Sequence, residues 1–150
     1  MALSVEQLRK LVGSEVGVSE WCAVTQEMIA GFAEVAGDRQ WIHTDVERAR
    51  AESPFGATLA HGFLTLSLLT RLVADAVVVS GDFKFSVNYG FDRVRFPAPA
   101  IAGSRLRARV TLKAMTESAD QLEITWGVIL ERECGGKPAL VADWLVRKYL

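Results

Sequence analysis

The chain has 150 residues, of which 50% are hydrophobic and 23% are charged, a composition typical of a folded globular protein. Its formal net charge of -1 excludes a global basic field that would recruit nucleic acid or an anionic membrane, so we expect neither partner. The length suits one domain, and we expect residues 1–150 to form it.

The N-terminal quarter predicts two helices separated by a strand. Residues 4–11 form a short helix, and residues 16–24 have the composition of a strand. A threonine then caps a helix over residues 25–36, in which apolar residues follow a single stripe. Gly37 can adopt positive φ and end this helix. Asp38 is therefore expected in a loop.

A second short helix and a longer apolar one follow. Residues 45–52 predict a helix, which the Ser-Pro-Phe-Gly sequence at 53–56 ends. Between residues 61 and 78, apolar side chains occur nearly all round the helical wheel, so we expect protein to surround this helix. The apolar run of residues 59–79 also contains a histidine, an arginine and an aspartate. These charges favour a core helix over a membrane span.

The C-terminal half predicts four long strands. They cover residues 83–96, 105–116, 121–132 and 139–149. Residues 105–112 alternate clearly, with arginines on one face, which we expect to be mostly a solvated face, and small or apolar residues on the other. One apolar helix with several long, mostly antiparallel strands predicts an α+β fold, in which a strongly curved sheet wraps around the helix.

The candidate chemistry lies at Asp38 and at the two histidines of the chain, His43 and His61. Carboxylate and imidazole groups serve as general acids and bases, and histidine is suited to work near neutral pH. Asp38 and His43 do not have the i,i+4 spacing of a helix face, so a loop has to bring both onto one water molecule. For His61 we favour a structural role, holding the helix start beside that loop.

Other kinds of site have weaker support. Cys22 and Cys134 match neither a metal-binding pair nor a disulfide framework, so we expect reduced thiols in a cytoplasmic protein without a signal peptide. We expect no metal and no cofactor, since the sequence has no cluster of metal ligands and no glycine-rich phosphate motif. A serine hydrolase would show a Gly-x-Ser-x-Gly elbow; Ser67 and Thr65 are expected to bond to the helix backbone instead.

Two ordered motifs carry a family resemblance. They are Gly-Asp-x-x-x-x-His-x-Asp at residues 37–45 and Ala-His-Gly-Phe-Leu-x-x-Ser-Leu at residues 60–68, with Phe-Gly at 55–56 between them. This pattern resembles the MaoC-like dehydratase family, the (R)-specific enoyl-CoA hydratases with the hot-dog fold. Residues 88–99 and the Gly-Asp-Arg-Gln-Trp-Ile-His segment resemble the NodN-like branch most. Gln40-Trp41 departs from the Asn-Pro of many members.

The resemblance implies reversible hydration of trans-2-enoyl-CoA to (3R)-3-hydroxyacyl-CoA, in a homodimer whose two sheets join edge to edge. It implies that Asp38 and His43 activate the water and shuttle the proton. It also implies that the N–H of Gly62, at a helix N-terminus, donates to the thioester oxygen. The further candidates for substrate binding or loop support are His61, Asn88 and Arg93.

Two alternatives remain open. An acyl-CoA thioesterase of the same fold would carry an acidic residue on or beside the start of the central helix, whereas the first acid here is Asp75, far from that start. The Gln40-Trp41 departure leaves open a second alternative, a non-catalytic accessory protein that binds acyl-thioesters. The thioesterase predicts release of free thiol, and the accessory protein predicts acyl-CoA binding without turnover.

Overall fold

The computed structural model describes residues 2–150. In chain order its elements are β1 (Ala2–Ser4), α1 (Val5–Arg9), β2 (Glu15–Val18), β3 (Cys22–Ala23), α2 (Gln26–Ala36), α3 (Trp41–Thr44), α4 (Val46–Glu52), α5 (Gly62–Ala76), β4 (Val78–Ser80), β5 (Phe85–Arg95), β6 (Arg105–Glu117), β7 (Gln121–Arg132) and β8 (Leu140–Tyr149). The four long strands β5 to β8 were all predicted, with ends that differ by a few residues at most.

The main sheet is antiparallel, with strand order β2-β6-β7-β8-β5 and with β3 also paired to β6. Alternating burial over residues 105–112 of β6 and along most of β7 and β8 gives the sheet one buried face. On β6 this face consists of Leu106, Ala108, Val110 and Leu112, all fully buried. The buried face shares one hydrophobic core with α5, as the alternating pattern predicts.

The predicted strand over residues 16–24 is in fact two strands. Val18 pairs with Arg109 and Cys22 pairs with Leu106, so three residues lie opposite two of β6 and interrupt the ladder, as in a β-bulge. Ser19 bridges the interruption, since its N–H donates to the Ala108 carbonyl at 2.9 Å and its hydroxyl accepts from the Ala108 N–H at 2.8 Å.

The apolar helix ends two residues earlier than predicted. Val77 is extended, with φ -150° and ψ 134°, because the next three residues form β4 and pair in parallel with β1. Neither short strand was predicted from the sequence.

The prediction that protein surrounds α5 is wrong for the single chain. One side of the helix packs on the sheet through buried residues such as Leu68, Leu69 and Leu72. The opposite side carries Phe63, which is 75% exposed, and the exposed Ser67. The sheet of one chain covers only one side of the helix. Within residues 2–150 no helix has both the length and the hydropathy needed to cross a bilayer.

Candidate active site

The first part of the site is the turn after α2. Gly37 has φ 73° and ψ 6°, the left-handed conformation that ends helices without steric cost. Asp38 follows it. Two hydrogen bonds of 2.9 and 2.7 Å join the Arg39 guanidinium to Glu34, across the turn. The guanidinium lowers the pKa of the Glu34 carboxyl below its ordinary value of 4.5.

The segment between the carboxylate and the imidazole was predicted as a loop, but it contains the one-turn helix α3. The His43 N–H donates to the Gln40 carbonyl at 3.0 Å, and the Asp45 N–H donates to the Trp41 carbonyl at 2.9 Å. The Arg48 guanidinium lies 4.2 Å from the centroid of the Trp41 ring. The Gln40-Trp41 pair therefore begins a helical turn that also contacts α4.

The fold brings Asp38 and His43 together. His43 Nε2 lies 3.8 Å from Asp38 Oδ2, and the two side chains are 12% and 42% exposed. On the other edge of the ring, His43 Nδ1 lies 2.7 Å from the carbonyl oxygen of Leu59. A carbonyl only accepts, so Nδ1 carries the hydrogen, and in the neutral ring Nε2 presents its lone pair on the Asp38 side.

His61 contacts both residues of this pair. Its ring stacks on that of His43, with centroids 3.7 Å apart and an interplanar angle of 23°. Its Nε2 lies 2.9 Å from the main-chain oxygen of Asp38 and donates to it. His61 is only 4% exposed, and no partner for its Nδ1 occurs in the described part of the chain. It is the N-cap residue of α5, so these contacts join the helix start to the Asp38 turn.

Gly62 is the first residue of α5, where a backbone N–H has no acceptor within the helix. It lines a cavity of about 280 Å³ together with Thr65 and residues 96–100. A methyl group in place of its hydrogen would lie 3.4 Å from the Phe96 ring. The glycine therefore leaves space beside the helix start that a side chain would fill.

The remaining two candidates lie outside this cluster. Asn88 is on β5, and its Oδ1 accepts a 2.8 Å hydrogen bond from the indole N–H of Trp144. It lines a groove of about 240 Å³ along α5, together with Phe63 and Ser67. Arg93 is exposed on β5 opposite Asp143. Asp38, His43 and His61 form one group, with Gly62 next to it in sequence; Asn88 and Arg93 are not part of it.

Comparisons with known proteins identify the family of this chain. A family model described as "MaoC like domain" matches residues 7–133. The chain belongs to the MaoC-like dehydratase family. This MaoC-like chain is 46% identical over 145 residues to 3-hydroxyacyl-thioester dehydratase Z of Mycobacterium tuberculosis, covering 96% of this chain and 95% of the relative. It is 42% identical over 144 residues to nodulation protein N of Rhizobium meliloti, covering 95% and 89%.

A solved structure supports the fold. The (R)-hydratase from A. caviae involved in PHA biosynthesis superimposes with a TM-score of 0.66 at 25% identity, covering 88% of this chain and 95% of that one. The MaoC-like chain therefore has the hot-dog fold that its motifs predicted. Together with its dehydratase relatives, this makes it a hydro-lyase of the enoyl-CoA hydratase/dehydratase family.

Two residues that hold His43 were missed by sequence reasoning. The side-chain amide of Gln26 donates to the His43 carbonyl at 2.9 Å, and its oxygen accepts from the Thr58 hydroxyl. Gln26 is separated from its two partners by 17 and 32 residues in the chain. A glutamine in the first turn of a helix carries no local sign of such long-range bonds.

The site of the MaoC-like domain contains a possible metal-ligand set, since Asp38, His43 and His61 offer ligand atoms within 4.8 Å of one another. Coordination requires nitrogen lone pairs that converge on one point. The nitrogens that keep lone pairs are His43 Nε2 and His61 Nδ1. The two rings stack nearly parallel, so these in-plane lone pairs lie in separate, nearly parallel planes and do not converge. This geometry favours a proton-transfer pair with a supporting ring over a chelate.

Structural contacts outside the site account for the strand arginines, for Ser67 and for Asp75. The strand arginines form a solvated ion-pair face, with Arg105 bonded to Glu133 and Arg109 bonded to Glu15. The Ser67 hydroxyl donates to the carbonyl of Phe63 within its own helix, as predicted. Asp75 accepts from the Glu20 N–H at 2.7 Å, which gives the only acid in α5 a bond to the segment between β2 and β3.

Proposed function

We propose that this protein is an (R)-specific enoyl-CoA hydratase/dehydratase, which adds water reversibly to trans-2-enoyl-CoA and yields (3R)-3-hydroxyacyl-CoA. The observation that carries the proposal is the 3.8 Å separation of His43 Nε2 and Asp38 Oδ2. Two acceptor atoms at this distance can hold one water molecule by a hydrogen bond to each. Acyl-CoA is the substrate, and the protein requires no further cofactor.

The pair supplies the acid–base chemistry of hydration. His43 Nε2 and Asp38 orient the water, and its oxygen attacks C3 as the pair accepts a proton. Electrons of the C2–C3 double bond shift to the thioester oxygen and form an enolate. Return of one proton from the pair to C2 completes the addition, so the water supplies both OH and H. General acid–base groups of this kind typically contribute about 10²–10⁴-fold.

The enolate oxygen needs a hydrogen-bond donor, and we assign this role to the Gly62 N–H. It is free of the intrahelical ladder and lies at the positive end of a helix of 15 residues, which favours developing negative charge. His61 supports the pair by stacking on the His43 ring and by donating to the main-chain oxygen of Asp38. Asn88 and Arg93 belong to the proposal as contacts for more distant parts of the substrate.

The working unit is a homodimer whose sheets join edge to edge. β5 is a terminal strand with a single neighbour, β8, and most of its 11 residues are exposed. The exposed side of α5 lies beside it, with Phe63, Asn88 and Phe91 in one groove. A second copy would pair the free edge and cover this side. Residues 1–150 form one domain of this dimer, and the free thiols of Cys22 and Cys134 fit a cytoplasmic protein.

The test is loss of the enoyl-thioester absorbance with crotonyl-CoA and then with C8–C12 trans-2-enoyl-CoA. We expect decay on at least one chain length and a (3R)-alcohol as the product. Free thiol released from saturated acyl-CoA would instead identify a thioesterase. Saturable binding without turnover on any chain length would identify a non-catalytic acyl-thioester binder.

Variants of the pair test the assignment of roles. In folded Asp38→Asn and His43→Gln proteins, kcat/KM should fall by about 10²–10⁴-fold. The matched control is Asp45→Asn. The Asp45 carboxylate accepts from the Arg48 N–H and caps α4, which asparagine does equally well, so activity should be retained. Near wild-type kcat/KM in either variant of the pair would exclude that residue from the chemistry.

A further inference from the structure

We infer that Gln26 is a positioning residue for His43, with Thr58 fixing the orientation of its amide. This inference rests on the proposed function, because it concerns the imidazole that we assign to water activation. The bond from Gln26 goes to the main-chain carbonyl of His43 and not to its ring, so the role inferred here acts through the main chain. Gln26 and Thr58 also line a cavity of about 390 Å³, so kcat and KM are read separately in the test below.

The hydrogen bonds determine which way the amide faces. The His43 carbonyl can only accept, so the Gln26 atom 2.9 Å from it is the nitrogen. The amide oxygen then faces Thr58 and accepts from its hydroxyl. Thr58 is only 2% exposed, so its hydroxyl has little access to water. Donor and acceptor of the Gln26 amide are both engaged, in a single orientation.

The His43 carbonyl needs such a partner because α3 is only four residues long. The last four carbonyls of a helix lack intrahelical donors, and a single turn is not stable on its own. The Ile42 carbonyl receives the N–H of Leu59 at 3.0 Å. The next carbonyl, that of His43, receives the Gln26 amide. The turn is therefore held by contacts from α2 and from the segment before α5.

Thr58 and Leu59 together hold His43 from two directions. The Leu59 carbonyl accepts from Nδ1 of the ring at 2.7 Å, and Thr58 orients the amide that binds the main chain. The segment that contains Thr58 and Leu59 is attached to the rest of the domain, because Leu59 forms a β-bridge with Ile101. Without the amide, the His43 carbonyl loses its donor, and we expect the end of α3 to shift and to carry the ring away from its position beside Asp38. Misplacement of a reacting group by about 1 Å can cost about 100-fold in rate.

Four variants separate this role from simple packing. Gln26→Met keeps the length of the side chain and removes both bonds, whereas Gln26→Glu keeps an acceptor for Thr58 but cannot donate to the carbonyl. Both should lower kcat about 10- to 100-fold, with KM within about twofold of the wild type. Thr58→Val should lower kcat in the same sense, and Thr58→Ser, which restores a hydroxyl, should recover most of it.

The matched control is Gln7→Met. Gln7 also lies in the first turn of a helix and also bonds a backbone group, the N–H of Ser4 at 2.8 Å, but it belongs to α1. Its loss should leave kcat unchanged. Wild-type kcat in Gln26→Met, or equal kcat in Thr58→Val and Thr58→Ser, would overturn the inference.

A spectroscopic test does not depend on turnover. The chain has two histidines, so ¹⁵N spectra of the imidazoles contain two spin systems. A His61 variant assigns them. In the wild type, His43 should be the Nδ1–H tautomer, and in Gln26→Met it should become a mixture of tautomers as the bond to Leu59 weakens. An unchanged His43 signal in Gln26→Met would overturn the inference. A wild type that hydrates no enoyl-CoA would reject the proposed function and leave this test intact.

Discussion

The imidazole rings of His43 and His61 lie face to face, with centroids 3.7 Å apart. His61 thus touches the ring of one member of the proposed catalytic pair and, through its Nε2, the main chain of the other. Because Phe32 packs against its ring as well, at a centroid distance of 5.0 Å, His61 is confined between a helix and the site. It joins the two halves of the pair to α5.

Two substitutions of His61 should separate its stacking from its hydrogen bond. His61→Phe keeps a ring against His43 but leaves the Asp38 carbonyl without its donor, and an unmet hydrogen bond of this kind costs about 1–3 kcal/mol of stability. His61→Gln keeps an amide donor and loses the ring. If positioning of Asp38 matters most, kcat falls more in His61→Phe than in His61→Gln. Steady-state kinetics would compare kcat in the two variants, and thermal melts would compare their stability. Equal kcat in both variants would contradict this ranking.

Gly62→Ala should reduce activity without unfolding the protein. The added methyl would lie 3.4 Å from the half-exposed Phe96 ring, which can move outward. Alanine is favoured over glycine in helices by roughly 1 kcal/mol, so we expect an unchanged or slightly higher Tm. The methyl would occupy space where we propose that the thioester approaches the backbone, and kcat/KM should fall at least about tenfold. A variant with full activity would remove Gly62 from the proposed oxyanion site.

Phe63→Glu should disrupt the proposed homodimer. Phe63 is 75% exposed in the single chain and lines the groove along α5, where a buried carboxylate would be unpaired. Size-exclusion chromatography with light scattering should show a dimer for the wild type and a shift toward monomer for the variant. Val12→Glu, on an exposed valine between α1 and β2, is the control. A wild-type monomer would reject the dimer proposal outright.

The Glu34–Arg39 pair should make a pH-dependent contribution to stability. The guanidinium lowers the pKa of Glu34 in the folded state, so the pair stabilises the fold above the unfolded pKa of about 4.5, and this contribution is lost as pH falls through the folded pKa. Glu34→Gln should lower Tm at pH 7 by a small amount, since both side chains are exposed. The difference should shrink progressively as the pH falls below 4.5. A difference that does not shrink with falling pH would have another cause.

Much of the site could be predicted because its main parts are local. Gly37 follows an amphipathic stripe and ends α2 with positive φ. Asp38 therefore lies in the turn directly after the helix, and His43 is only a few residues further along the chain. The strands β6, β7 and β8 have clear alternating patterns. The arginines of β6 lie on the face that was expected to be solvated, and there they form ion pairs that were not predicted.

The parts that could not be predicted depend on partners distant in the chain. β1 and β4 are three residues each and exist because they pair with each other; such short segments have no periodicity to detect. The role of Gln26 depends on where α3 and Thr58 lie in space. The apolar character of α5 indicated that it would be covered, but it did not show that the sheet of one chain covers only one side of it.

In the proposed homodimer, the free edge at β5 would link folding to association. The opposite edge of the sheet is formed by the short strands β2 and β3. β5 has 11 residues, paired with β8 on one side and unpaired on its outer edge. When two copies pair here, each stabilises the folded form of the other by mass action. The melting temperature should then rise with protein concentration. A cell that makes only a few copies would hold this protein closer to its unfolding limit than a cell that makes many.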